Sequence, residues 1–91
     1  MTVTISIPGS LREYCDGAAE LSLTAGSVRA AFEQLERSHP ALLRNICDET
    51  GRVRHHVNVF VNSTNTRDME GLDTALAPGD VVTILPAVSG G

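Results

Sequence analysis

The sequence predicts an α+β roll, a mixed sheet packed on one main helix. Two alternating segments, residues 2–7 and 20–24, precede the one strong helical stripe, Val28, Ala31, Phe32 and Leu35. Two further strand-like runs, residues 55–62 and 81–85, follow it. A helix with one apolar stripe has to bury that stripe, and strands on both sides of it in the chain offer the sheet to bury it against.

In order along the chain, Thr2-Val3-Thr4-Ile5-Ser6-Ile7 alternates polar and apolar side chains, the period of a half-buried strand. Pro8-Gly9-Ser10 ends it, and a loop containing Asp16-Gly17 leads to Glu20-Leu21-Ser22-Leu23-Thr24, so the first two strands form a hairpin. Ser27 is a natural N-cap for the helix. Glu33 and Arg37 are four residues apart in the order that favours an exposed ion pair. Pro40 biases His39 away from the helical region and stops the helix. Leu42, Leu43 and Ile46 suit a short helical turn closing the core, and Asp48-Glu49-Thr50-Gly51-Arg52 is a polar loop.

In the next run Val57, Val59 and Val61 share one face. Asn62-Ser63-Thr64-Asn65 reads as a turn, and the irregular stretch 69–76 supplies Leu72 and Leu76 to the core. Ala77-Pro78-Gly79-Asp80 is a proline-led turn that launches the last strand, with Val82 and Ile84 inward and Val81, Thr83 and Leu85 outward.

The 91 residues form one domain with a small core. No apolar run approaches the ~18 residues of a membrane span. The first five residues lack a basic start and alternate, which is not the pattern of a signal peptide, so the expected compartment is the cytoplasm. Seven arginines, no lysine and eleven carboxylates give a net charge of −4. Such a chain is poorly suited to nucleic acid, which needs clustered cations, and better suited to a basic protein partner. Cys15 and Cys47 lack the spacing of a redox pair or zinc site and read as packing or surface thiols. Adjacent histidines on a strand point to opposite faces, so His55 and His56 are not expected to share a metal, and no metal site is expected. His56 would then lie on the Phe60 face. The scattered loop carboxylates form no catalytic pair.

The last strand then breaks pattern. Pro86 has no backbone N–H and should end the ladder. Beyond it, Ala87-Val88-Ser89-Gly90-Gly91 is small and finishes in two glycines with the free carboxylate of Gly91 at the tip. A terminal glycine pair arises by chance in roughly one chain in two hundred, so its weight comes from the strand and the Pro-x-Val-Ser that precede it. A tail of this kind can thread a channel too narrow for larger side chains, and glycine makes it flexible. The chain therefore divides into a folded body, residues 1–86, and a flexible tail, residues 87–91. Strand parity turns Phe60 outward beside Leu85, a candidate anchor for a protein partner that Arg12 and Arg67 could flank.

The β-β-α-β-β order, the Pro78-Gly79-Asp80 turn, the strand Val82-Thr83-Ile84-Leu85 and the ending Pro86-Ala87-Val88-Ser89-Gly90-Gly91 resemble the ubiquitin-like sulfur carriers of the MoaD, ThiS and CysO types. The opening Val3-Thr4-Ile5-Ser6-Ile7-Pro8, the run Val57-Asn58-Val59-Phe60-Val61-Asn62 and Ala87 in place of a second proline are most similar to the CysO type.

The resemblance implies a ubiquitin-like β-grasp fold and a carrier, not an enzyme. It implies that Gly91, after Gly90, is joined to AMP by an E1-like adenylating and sulfurtransferase enzyme that uses ATP, and is then converted to a thiocarboxylate. Phe60, Leu85, Pro86, Val88 and Ser89 would meet partner enzymes. In the CysO type the sulfur would attack an aminoacrylate on a cysteine synthase dependent on pyridoxal phosphate (PLP), and a zinc metalloprotease would release the cysteine. No cofactor would be bound by the carrier itself. The alternatives are a MoaD-type subunit of molybdopterin synthase, a carrier for thiamine or another thio-metabolite, a protein modifier, and a plain binding module.

Overall fold

The computed structural model describes residues 2–86, and the expectations for the tail, 87–91, lie outside the described residues. Five strands form one mixed sheet: β1 (Val3–Ser6), β2 (Glu20–Leu23), β3 (Val57–Val61), β4 (Thr64–Asn65) and β5 (Val81–Pro86). Their spatial order is β2-β1-β5-β3-β4. β5, last in sequence, lies in the middle of the sheet, parallel to β1 and antiparallel to β3. Two helices, α1 (Val28–Ser38) and α2 (Pro40–Ile46), complete the α+β body.

Alternation decides which face is covered. Val3, Ile5, Val57, Val59, Val82 and Ile84 point to one side and are almost wholly buried. There all but Val3 form one core with Val28, Ala31, Phe32 and Leu35 of α1, the stripe the sequence predicts, with Leu42 and Ile46 of α2 closing one end. Burial of such side chains contributes about 1.5–3 kcal/mol each. Ser27 caps α1, its Oγ accepting from the Ala30 N–H at 3.1 Å. Pro40 then opens α2 at its first turn, where a missing N–H costs nothing.

The structure departs from the sequence reading in four places before the last strand. The link between β1 and β2 is a 3₁₀ helix, Gly9–Cys15, that buries Leu11 and Cys15 in the core. Its end is set by Asp16 and Gly17, with φ of 58° and 81°. The 62–65 turn is only two residues wide: Val61 pairs with Thr64, and Asn62, at φ 56°, makes the reversal. His55 and His56 stand in the turn before β3, exposed and edge to face with ring centres 5.8 Å apart, so strand parity does not govern them. Finally, among the described residues the one ion pair is Arg29–Asp73. Glu33 and Arg37 do not close theirs, as befits exposed pairs worth only a few tenths of a kcal/mol.

Leu72 and Leu76 pack against the core as expected. Their segment is tied to the start of α1 by the Val28 N–H to Thr74 O bond (3.0 Å) and the Leu76 N–H to Gly26 O bond (2.9 Å). Cys15 and Cys47 are both buried free thiols. Among the described residues no helix is long and apolar enough to cross a membrane.

Candidate functional site

The site grows from the end of β5. Its ladder with β3 pairs Val57 with Pro86, Asn58 with Leu85, Val59 with Ile84, Phe60 with Thr83 and Val61 with Val82. The Asn62 N–H donates to Val81 O at 2.7 Å, so alternation directs the N–H groups of 81, 83 and 85 toward β3. Position 86 consequently turns its nitrogen the other way, past Ser6, the last residue of β1. No ladder donor is required there. Pro86 therefore continues the strand in register instead of stopping it one residue early.

The face opposite the helices carries Ser6, Thr83, Phe60 and Asn65 in one row across four strands, with Asn58 and Leu85 in the next. Phe60 and Leu85 are diagonal neighbours on this face, within reach of one another. Phe60 is half-buried, while Leu85 is 46% exposed. Thus the two apolar positions that parity singles out share one surface, at the root of the segment leading to Gly91. Val88, Ser89, Gly90 and Gly91 lie outside the described residues.

Arg67 was only loosely placed by sequence reasoning, and the structure brings it to this same spot. Its Nη1 donates to Asn58 Oδ1 at 2.7 Å, and its Nη2 to Val57 O at 2.9 Å and His55 O at 3.2 Å. Asn65 supports the arrangement. Its Oδ1 accepts the Arg67 backbone N–H, and its Nδ2 donates to Asn58 Oδ1. Arg12, by contrast, turns its Nε back to Ile7 O at 3.1 Å, near the start of the 3₁₀ helix. The signal for Arg67 in the sequence was faint, because only the two-residue turn at 62–63 folds it back along β3.

On the helical side a cleft of about 730 Å³ is lined by Phe32, Leu43, Cys47, Arg54 and Leu72 among others. Burial, reinforced by the Asp48 carboxylate, pushes the Cys47 thiol up to about 11, so it is no nucleophile near neutral pH. Among the described residues no three of His, Cys, Asp or Glu come together as metal ligands. Among the described residues, the titrating groups held below their usual range are exposed turn carboxylates. Asp48 is lowered chiefly by the Thr50 hydroxyl, and Asp80 by the Ala77 N–H and the Asn62 amide. They shape loops and activate nothing.

A central last strand, one covered sheet face and a two-strand opening hairpin define a ubiquitin-like β-grasp protein. The ThiS family model matches residues 5–91, and the chain belongs to the ThiS family. It is 39% identical over 93 aligned residues to the sulfur carrier protein CysO of Mycobacterium tuberculosis, covering all of both chains. The crystal structure of that protein superposes with a TM-score of 0.87 at 38% identity, covering 94% of this chain and 99% of that one. A BexX/CysO complex from Amycolatopsis orientalis includes a chain that matches at TM-score 0.89 and 32% identity, over 98% of this chain and 99% of that one. Small archaeal modifier protein 1 of Methanosarcina acetivorans matches at TM-score 0.83 and 34% identity, over 99% and 96%. The CysO relative is named a sulfur carrier protein rather than an enzyme, and this chain is of the same small ThiS/CysO type.

Proposed function

We propose that this protein is a sulfur carrier whose Gly91 carboxylate is activated and converted to a thiocarboxylate that feeds cysteine synthesis. The observation that carries the reading is the full-length similarity to a sulfur carrier of the CysO type, with the family match running to residue 91. The chemistry needs a partner, because a carboxylate would have to expel oxide. An ATP-dependent activating enzyme joins the Gly91 carboxylate to the α-phosphate and releases pyrophosphate. Sulfide then attacks the acyl carbon, AMP leaves with the bonding pair, and the sulfur remains on the carrier as an ionised thiocarboxylate.

What the body contributes is recognition. Leu85 and Phe60 offer apolar area on a sheet face, and the root of the tail continues from a strand that lies between two neighbours, its last residues paired to β3. A PLP-dependent cysteine synthase is the proposed acceptor, since the PLP belongs to that enzyme and supplies its electrophile. A zinc metalloprotease would complete the cycle by freeing cysteine and restoring Gly91. On this proposal the carrier works in the cytoplasm alongside these enzymes.

The test is the intact mass of the protein isolated from its own host, before and after alkylation. A fraction heavier by the oxygen-to-sulfur difference, and alkylated at the C-terminus, is expected. A fraction carrying one extra cysteine residue would identify cysteine synthesis over molybdopterin or thiamine formation. Only the unmodified mass, even after incubation with ATP, sulfide and the host activating enzyme, would overturn the proposal. A second reading, conjugation of Gly91 to other proteins, is favoured by the similarity to a small archaeal modifier. With no lysine of its own the chain could not build lysine-linked chains of itself. Conjugates trapped in cell extract would support that reading.

A further inference from the structure

Charge is unevenly spread along this acidic chain. Residues 44–67 hold four of the seven arginines and both adjacent histidines but only two of the eleven carboxylates, Asp48 and Glu49. The fold brings the end of this stretch to the root of the tail, where Val57 pairs with Pro86 and Asn58 with Leu85. Arg67 is the fixed point of that pole. Its guanidinium is anchored by Asn58 Oδ1, Val57 O and His55 O, all of them neutral acceptors. Among the described residues no carboxylate lies within ion-pair distance, not even that of adjacent Asp68, and the Nε–H has no acceptor. The residue is exposed.

A cation held this way has already lost its rotamer freedom and still carries its full charge. A partner that meets it gains a charge-assisted hydrogen bond without ordering a long side chain. We propose that Arg67 is a fixed cationic contact that aligns the carrier on the enzymes acting at Gly91, and that it takes a carboxylate side chain at the rim of their tail channel. The inference rests on the carrier reading above. A phosphate of the nucleotide is the wrong ligand on distance. Five residues threaded straight through a partner's channel would carry the acyl carbon of Gly91 up to about 17 Å beyond Pro86, whereas Arg67 bonds Val57 and Asn58, the β3 partners of Pro86 and Leu85. The ligand at the root must therefore come from the partner protein itself.

The test compares wild type with Arg67→Gln and Arg67→Lys in ATP–pyrophosphate exchange by the host's activating enzyme, over 50–300 mM salt. Arg67→Gln keeps an amide donor for the strand carbonyls but loses the charge. It should raise KM for the carrier about tenfold, leave kcat within twofold and flatten the salt dependence of kcat/KM. Arg67→Lys should recover the salt slope and part of the affinity, since it keeps the charge and loses the fork that fixes it. Melting curves of all three report the clamp separately. Wild-type KM and salt slope in Arg67→Gln would overturn the inference alone, as would a loss in Arg67→Lys equal to that in Arg67→Gln and tracking the melting temperature. No exchange with wild-type carrier would overturn the carrier reading and this inference with it.

Discussion

Ile84 and Leu85 are adjacent on β5 and point to opposite faces, so truncating each to alanine separates the fold from the docking surface. Ile84 is wholly buried in the central strand. Its truncation removes three buried carbons, about 2.4 kcal/mol of transfer free energy, and leaves a cavity beneath α1 that raises the cost to about 3–4 kcal/mol. For a domain of this size each kcal/mol corresponds to about 4–8 °C, so Ile84→Ala should melt at least 12 °C below wild type. Leu85 is 46% exposed, so Leu85→Ala loses only part of one side chain's burial, about 1 kcal/mol or less, and should melt within about 8 °C of wild type. Its deficit should appear in association instead. An apolar anchor covered by a partner is worth about 1–2 kcal/mol, or five- to thirtyfold in affinity for the activating enzyme. Thermal melts and titration calorimetry on the same two variants measure both quantities. Equal destabilisation by the two variants would refute the parity argument, and undiminished affinity of Leu85→Ala would refute the docking surface.

Ser27→Ala removes the oxygen that accepts from the Ala30 N–H and should cost about 1 kcal/mol in a denaturant melt, with Ser27→Asp restoring it. Cys47, raised by burial to about 11 from an ordinary 9.0, should react with a thiol reagent at pH 8 about a hundredfold more slowly than a free cysteine. Because the folded value lies above the unfolded one, its contribution to stability is complete below pH 9 and is lost as pH rises toward 11. Cys47→Ser should remove that part of the alkaline slope. Asp80 runs the other way: its lowered value means stability present above the ordinary carboxylate range and lost as pH falls through the folded value, and Asp80→Asn should flatten that acid limb.

How much of this was legible beforehand follows from which signals are local. The stripe Val28, Ala31, Phe32, Leu35 and the alternation of β3 and β5 are periodic in the chain itself, and both are found where periodicity puts them. The 3₁₀ helix at Gly9–Cys15 was not legible, because Leu11, Tyr14 and Cys15 make a single turn of helical spacing, too short to stand out between Pro8-Gly9 and Asp16-Gly17. Strand order was hidden for a different reason. Pairing β5 with β1 joins residues more than seventy positions apart, and pairing it with β3 spans more than twenty, and neither segment carries a mark of its partner. The apolar half of the candidate site, Phe60 and Leu85, followed from parity alone. Its charged half did not, because Arg67 reaches Val57 only after the reversal at Asn62 folds the chain back on β3.

The place of β5 also bears on how a carrier of this size can be handled by enzymes. A segment leading to the C-terminus could have sprung from an edge strand, held by a single ladder. Here it continues from the strand bonded on both sides, to β1 over Val81–Thr83 and to β3 over Val82–Pro86. The β3 ladder extends three residues past the β1 ladder, so the last turn of strand, Ile84 to Pro86, is gripped on one side and open on the other. Force or strain applied beyond Pro86 meets this overhang first, and Arg67 binds the Val57 carbonyl directly opposite its end. Loosening at the tail root can thus stay confined to the overhang, while the buried pair Val82 and Ile84 keeps the core closed. Hydrogen exchange makes the distinction measurable: the amide of Leu85, at the overhang, should exchange by local opening, and that of Thr83 only with global unfolding.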